Sequence, residues 1–181
     1  MPRAFNDPLL LIGKIAAIFM QAAMAFGAIA LVGVLVAIPF AQGAINAELR
    51  AELADPSVSL PLLPLIGVLL IGLAMVAMLF VFFDKLRRII GTVGEGDPFV
   101  DQNAKRLSAM AWLMLGVQLL TIPAAAFGIY LLKFADQFED TNVSVDAGMD
   151  MSGILLVILL FILARIFRHG TRLRDDLEGT V

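Results

Sequence analysis

The fold class this sequence predicts is all-α: an integral membrane four-helix bundle, one domain over 1–181, with both termini in the cytoplasm. Three observations predict it. Of 181 residues 60% are apolar and 16% charged, against about 45–50% and 25% in soluble domains. The apolar residues gather in long runs, and roughly 20 helical residues cross about 30 Å of hydrocarbon. The basic residues fall on alternate sides of those runs. Helix is the default inside them because lipid offers no partner to free backbone groups, and the strict alternation of a barrel strand is missing.

The first span, 15–40, holds one strongly polar side chain, Gln21. At 26 residues it exceeds the apolar stretch of about 7–15 in a cleaved signal, so it reads as a retained anchor. The second, 60–83, carries no charge, and the third, 108–132, is interrupted only by Gln118, Thr121 and Pro123. The fourth, 151–167, is the shortest, with 14 uncharged residues before Arg165. An arginine near a helix end can snorkel its guanidinium to the headgroups. If all four cross, 11 of the 13 Lys and Arg share one side, leaving Arg50 and Lys133 on the other. The positive-inside rule then puts both tails and the 84–107 loop in the cytoplasm.

Two helical pairs resemble each other. Asp7-Pro8 and Asp97-Pro98 precede spans one and three, while Gly91-Thr92-Val93 and Gly179-Thr180-Val181 close the continuations of spans two and four. That layout suggests a parallel two-helix repeat. The continuations are amphipathic: Phe83, Leu86, Ile90 and Val93 form one stripe, and Ile166, Leu173 and Leu177 another, predicted to pack on each other or on a partner. Between them, in Gly94-Glu95-Gly96-Asp97-Pro98-Phe99, the glycines permit positive φ, Asp97 is placed to cap the next helix, and that helix is predicted to begin near Pro98. Trp112 reads as an interfacial anchor.

Catalytic chemistry is hard to build here. With no cysteine and one histidine, His169, there is no thiolate or histidine metal cluster, and hydrolase, metalloprotease and P-loop patterns are missing. We therefore expect no metal, no cofactor, no direct nucleic-acid binding and no enzyme. Asp175, Asp176 and Glu178 read as a solvated face, and so does the acidic 134–150 loop, which also holds the glycosylation acceptor Asn142-Val143-Ser144. No span carries a carboxylate in its interior, which argues against ion-coupled transport. Gln21 and Gln118 are expected to hydrogen-bond between helices, Asp84 and Arg165 to form an interfacial charge pair, and Ala23-x-x-x-Gly27, Gly33-x-x-x-Ala37 and Ala124-x-x-x-Gly128 to let backbones approach.

Gly96-Asp97-Pro98-Phe99-Val100, then Asn103-Ala104, Arg106-Leu107 and Trp112, with a last span running into Phe167-Arg168-His169-Gly170 and Leu173, resembles a bacterial family of small four-span membrane proteins catalogued as a domain of unknown function, DUF2975. The resemblance implies an inner-membrane protein with no assigned reaction, in a family often encoded beside a small helix-turn-helix regulator. The expected function is docking of a soluble cytoplasmic partner, such as that regulator, or of another membrane protein, through Gly96, Asp97, Pro98, Phe99, Asn103, Arg106, Arg168, Gly170 and Leu173. The alternative is a small transporter or an accessory subunit of a membrane export system, lined by Gln21 and Gln118.

Overall fold

The computed structural model describes residues 8–136 and 150–178. These described residues form four α-helices, α1 (Pro8–Glu52), α2 (Leu62–Gly94), α3 (Asp101–Ala135) and α4 (Met151–Glu178). Each is long and apolar enough to cross a membrane, so this is an all-α, multi-pass membrane protein. Asp7, Asn142-Val143-Ser144 and Gly179-Thr180-Val181 lie outside the described residues.

α1 runs through Pro39 and well past the expected end of its span, to Glu52. The connection to α2 is tied to its last turns: Arg50 Nε donates to the Val58 carbonyl at 3.0 Å, and the Leu60 N–H donates to Asn46 Oδ1 at 2.8 Å. Within the connection one Asp55 oxygen accepts from the Ser57 N–H and hydroxyl, at 2.9 and 2.7 Å. These two bonds hold the Asp55 carboxyl below its usual range.

Each helix packs closely only on its neighbours in the chain: α1 on α2, α2 on α3, α3 on α4. The four form an open layer, and burial follows position in it. α1, at one edge, buries only Ala17 and Ile38, whereas α3, with a helix on either side, buries residues from Asn103 to Ala125. The core lies at the end where the basic residues gather, called here the basic end. It joins Ile89 of α2, Leu107, Met110 and Ala111 of α3, and Leu160 and Ala164 of α4.

The packing stripes differ from the expected ones by one position, because the helices meet at a lateral neighbour and not across a closed centre. On α2, Phe82, Leu86, Ile89 and Val93 face α3, while Ile90 sits over Gly13 of α1. On α4 the buried face is Val157, Leu160 and Ala164, with Phe167 against the core. Ile166 and Leu173 point the other way and are exposed, so among the described residues only Leu86 and Val93 of the two expected stripes pack on the core. Gly27 and Gly33 of α1 have open space around them. Close approach occurs instead at Gly67 under Phe127, Gly116 under Met78 and Gly153 under Gln118.

These contacts set the register. Along α2 and α3, Gly67 is level with Phe127, Met78 with Gly116 and Thr92 with Asn103. Along α3 and α4, Phe99 is level with Gly170, Trp112 with Phe161 and Gln118 with Gly153. α4 therefore begins half-way along the apolar run of α3. In the first pair the start of α2 is level with Asn46, near the far end of α1, so the two pairs do not share a register. One consequence corrects the sequence reading: Asp150, which precedes α4, stands at mid-depth of the apolar run of α3, not beyond its end.

Candidate functional site

The motif residues meet at the basic end, in the turn from α2 to α3 and the part of α4 beside it. α2 closes in a Schellman arrangement: the Gly96 N–H donates to the Val93 carbonyl and the Asp97 N–H to the Thr92 carbonyl, at 3.1 and 3.2 Å. Gly96 has φ +86°, the left-handed conformation that favours glycine in this position.

Asp97 does not cap the following helix. α3 begins at Asp101 and not at Pro98, Val100 precedes it in extended conformation, and no side chain caps it. The Asp97 carboxylate instead pairs with Arg174, 77 residues along the chain on α4. Phe99 completes the same latch. Its ring lies 5.3 Å from that of Phe167 and so close over Gly170 that a Cβ there would fall 2.6 Å from the ring. Its carbonyl accepts from the Thr171 hydroxyl at 3.2 Å.

Asn103 braces the turn from within. It is fully buried; Nδ2 donates to Thr92 Oγ1 at 2.7 Å and to the Pro98 carbonyl at 2.9 Å, and Oδ1 accepts from Arg106 at 3.0 Å. Arg106 also donates to Gln102 Oε1 at 3.2 Å and the Arg88 carbonyl at 3.4 Å. One buried amide thus joins the last turn of α2, the connecting turn and the first turns of α3. Asp101 pairs with Lys105 at 2.6 Å, and Arg168 is near enough to add to the field at that carboxylate.

Of the nine expected docking residues, Gly96, Asp97, Pro98, Phe99, Asn103, Arg106 and Gly170 are joined within this latch. Arg168 and Leu173 are exposed beside it. The expected pairing of Asp84 with Arg165 does not form: the Asp84 carboxylate is taken by Arg87 at 3.1 Å and Arg88 at 2.7 Å on its own helix. Residues three and four apart share a helical face, and α2 and α4 are not neighbours. The expected docking set omits Thr92, Thr171 and Arg174, although Thr92 is part of the suggested repeat. No local pattern marks a polar partner 77 residues away.

A profile of the family described as protein of unknown function (DUF2975) matches residues 41–181. The chain belongs to the DUF2975 family. The match takes in α2, α3, α4 and the whole latch, the residues of which fasten the α2–α3 turn of this DUF2975 chain to α4. No curated protein and no solved structure matches it.

The polar side chains inside the spans behave differently from expectation. Gln21 is half-buried and Gln118 is only 4% exposed, yet neither side-chain amide has a hydrogen-bond partner among the described residues. Thr121, a turn beyond, donates back to the Gln118 carbonyl at 2.6 Å. The first turn of α4 is capped by Asp150, whose two oxygens accept from the Ser152 and Gly153 N–H groups at 3.0 and 3.2 Å. Asx capping of this kind satisfies donors that an isolated helix start leaves free.

Proposed function

We propose that this is a non-enzymatic protein of the bacterial inner membrane, with both termini and the 84–107 connection in the cytoplasm, that docks a soluble cytoplasmic partner on the free edge of α4. The orientation rests on the gathering of lysine and arginine at one end. The observation that carries the docking reading is the α4 face turned away from α3. Ile166 and Leu173, 54% and 53% exposed, lie beside Arg165, Arg168 and Arg172, none of which has an ion-pair partner among the described residues. The latch holds this edge in place, so its arginines and apolar side chains are presented without much loss of conformational freedom on binding. A partner with acidic side chains around an apolar patch, such as a small helix-turn-helix regulator, fits it.

The latch residues then act by positioning the edge, and Asp97→Ala is a weaker test than a change on the edge itself. A photo-crosslinking residue placed at Leu173 in cells is expected to give one adduct of discrete mass, lost when Arg168→Glu and Arg172→Glu are combined. The same probe at Leu155, on the same face within the bilayer, is expected to give none. Adducts that are absent at Leu173, or indifferent to the charge reversal, would refute docking there. Transport is the second reading, favoured by one observation, the carboxylate of Asp150 at mid-depth.

A further inference from the structure

α1 packs on α2 but leaves a groove along one side of their seam. The groove, about 410 Å³, is lined only by apolar residues, among them Met24, Ala25 and Ala28 of α1 and Ala77, Phe80 and Val81 of α2. That volume lies within the roughly 300–1,000 Å³ of small-molecule sites. Each wall can be followed towards the basic end, because helical residues three and four apart share a face. On α2 the steps from Ala77 and Phe80 lead through Asp84 to Arg87 and Arg88; on α1 those from Ala28 and Ala25 lead through Gln21 and Ile18 to Lys14. Register brings the two ends together. Gly13 lies under Ile90, and Gly72 against Leu31, so Lys14 stands within one turn of the level of Arg87 and Arg88.

This side of the seam therefore carries three kinds of group in order of depth: cations where the apolar runs end, then an amide, then hydrocarbon-lined space. The cations are in excess. Asp84 is shared by Arg87 and Arg88, which leaves one positive charge over, and Lys14 has no ion-pair partner among the described residues. The half-buried Gln21 amide, also without a side-chain partner there, has both a donor and an acceptor to offer. Phosphate, acyl ester and hydrocarbon chain follow one another in the same order in a phospholipid. A free phosphate would leave the groove empty, and a lipid of no net charge would leave the cations unbalanced. A helix of a second copy fits poorly as well: copies of one chain share an orientation in the membrane, and every helix carries lysine or arginine at the basic end, so like charges would meet.

We propose that the α1–α2 seam binds one anionic phospholipid, its phosphate held by Lys14, Arg87 and Arg88, its ester region beside Gln21 and an acyl chain in the groove. The inference is independent of the docking edge, since α4 makes no contact with α1 among the described residues.

The test is native mass spectrometry of the full chain released from a neutral detergent, titrated with phosphatidylglycerol or with phosphatidylcholine of the same chains. Wild type is expected to bind phosphatidylglycerol about 30-fold more tightly, the preference given by two cations at about 1 kcal/mol each. Lys14→Gln combined with Arg87→Gln is expected to lose that preference. Lys85→Gln combined with Lys105→Gln removes equal charge at the same end but off both walls, and is expected to keep it. Ala25→Leu with Ala77→Leu, which fills the groove from either side, is expected to remove saturable binding of both lipids. The wild-type comparison does not depend on any variant folding. Equal affinity for the two lipids, a preference that survives the Lys14 and Arg87 changes or falls as far with the Lys85 and Lys105 changes, unaltered binding in the filled groove, or displacement of the lipid by equimolar glycerol 3-phosphate would overturn the proposal.

Discussion

Removing the side chain of Asn103 tests whether the basic end is held by one buried amide. Asn103→Ala deletes two neutral hydrogen bonds, to Thr92 and to the Pro98 carbonyl, and one from the Arg106 guanidinium. Neutral bonds contribute about 1 kcal/mol each and one to a charged group about 1.5–3. Arg106 keeps its bonds to Gln102 and the Arg88 carbonyl and is only half-buried, which lowers its share. The expected loss is about 3 kcal/mol. Trp112 is the only tryptophan, and its ring stands edge-on to Phe161 of α4 with centroids 5.5 Å apart, so its fluorescence reports the α3–α4 seam. Unfolding in mixed neutral-detergent and dodecyl sulfate micelles, followed at Trp112, measures the change. Thr92→Val in a double-mutant cycle with Asn103→Ala should show coupling of about 1 kcal/mol. A loss below about 1 kcal/mol, or no coupling, would refute the bracing role.

Gly153→Ala should destabilise the α3–α4 seam by about 1–3 kcal/mol, the usual range for overpacking, and Gln118→Ala in the same chain should restore most of it; the same fluorescence assay decides. Asp84→Asn and Arg165→Gln should be additive in unfolding free energy within about 0.5 kcal/mol, whereas Asp84→Asn and Arg88→Gln should couple. A measured coupling between 84 and 165 would mean that α2 and α4 approach each other. Ser57→Ala should move the Asp55 titration, read by NMR, up towards the ordinary carboxylate range. Because the folded value is depressed, the bond to Ser57 favours the folded state above the unfolded value. That contribution fades as pH falls through the folded one.

The spans were legible because hydrocarbon imposes a length and a composition on any chain that crosses it. So was the turn at Gly96, where the positive φ demanded a particular residue. The latch was only half legible. Gly96, Asp97, Phe99 and Gly170 stood out as a motif, but a motif does not say whether its residues face a partner or each other. Asp97 is a good capping residue by local rules, and the local rule lost because Arg174 comes within reach once α4 packs on α3. Asp84 shows the reverse. A distant pairing with Arg165 looked attractive, while Arg87 and Arg88, three and four residues on, were already on the same face.

By itself the sequence determined that four helices form, how they alternate and which end is basic, because those follow from apolar run length and from charge counted along the chain. Which side of each helix is covered, and at what height α4 begins, was decided only by tertiary packing. Run length places a helix in the layer but says nothing of its axial offset; that offset is set by where Gly153 and Gly170 allow Gln118 of α3 and Phe99 of the preceding turn to seat. This is why Gly153, three residues after Asp150, stands level with Gln118.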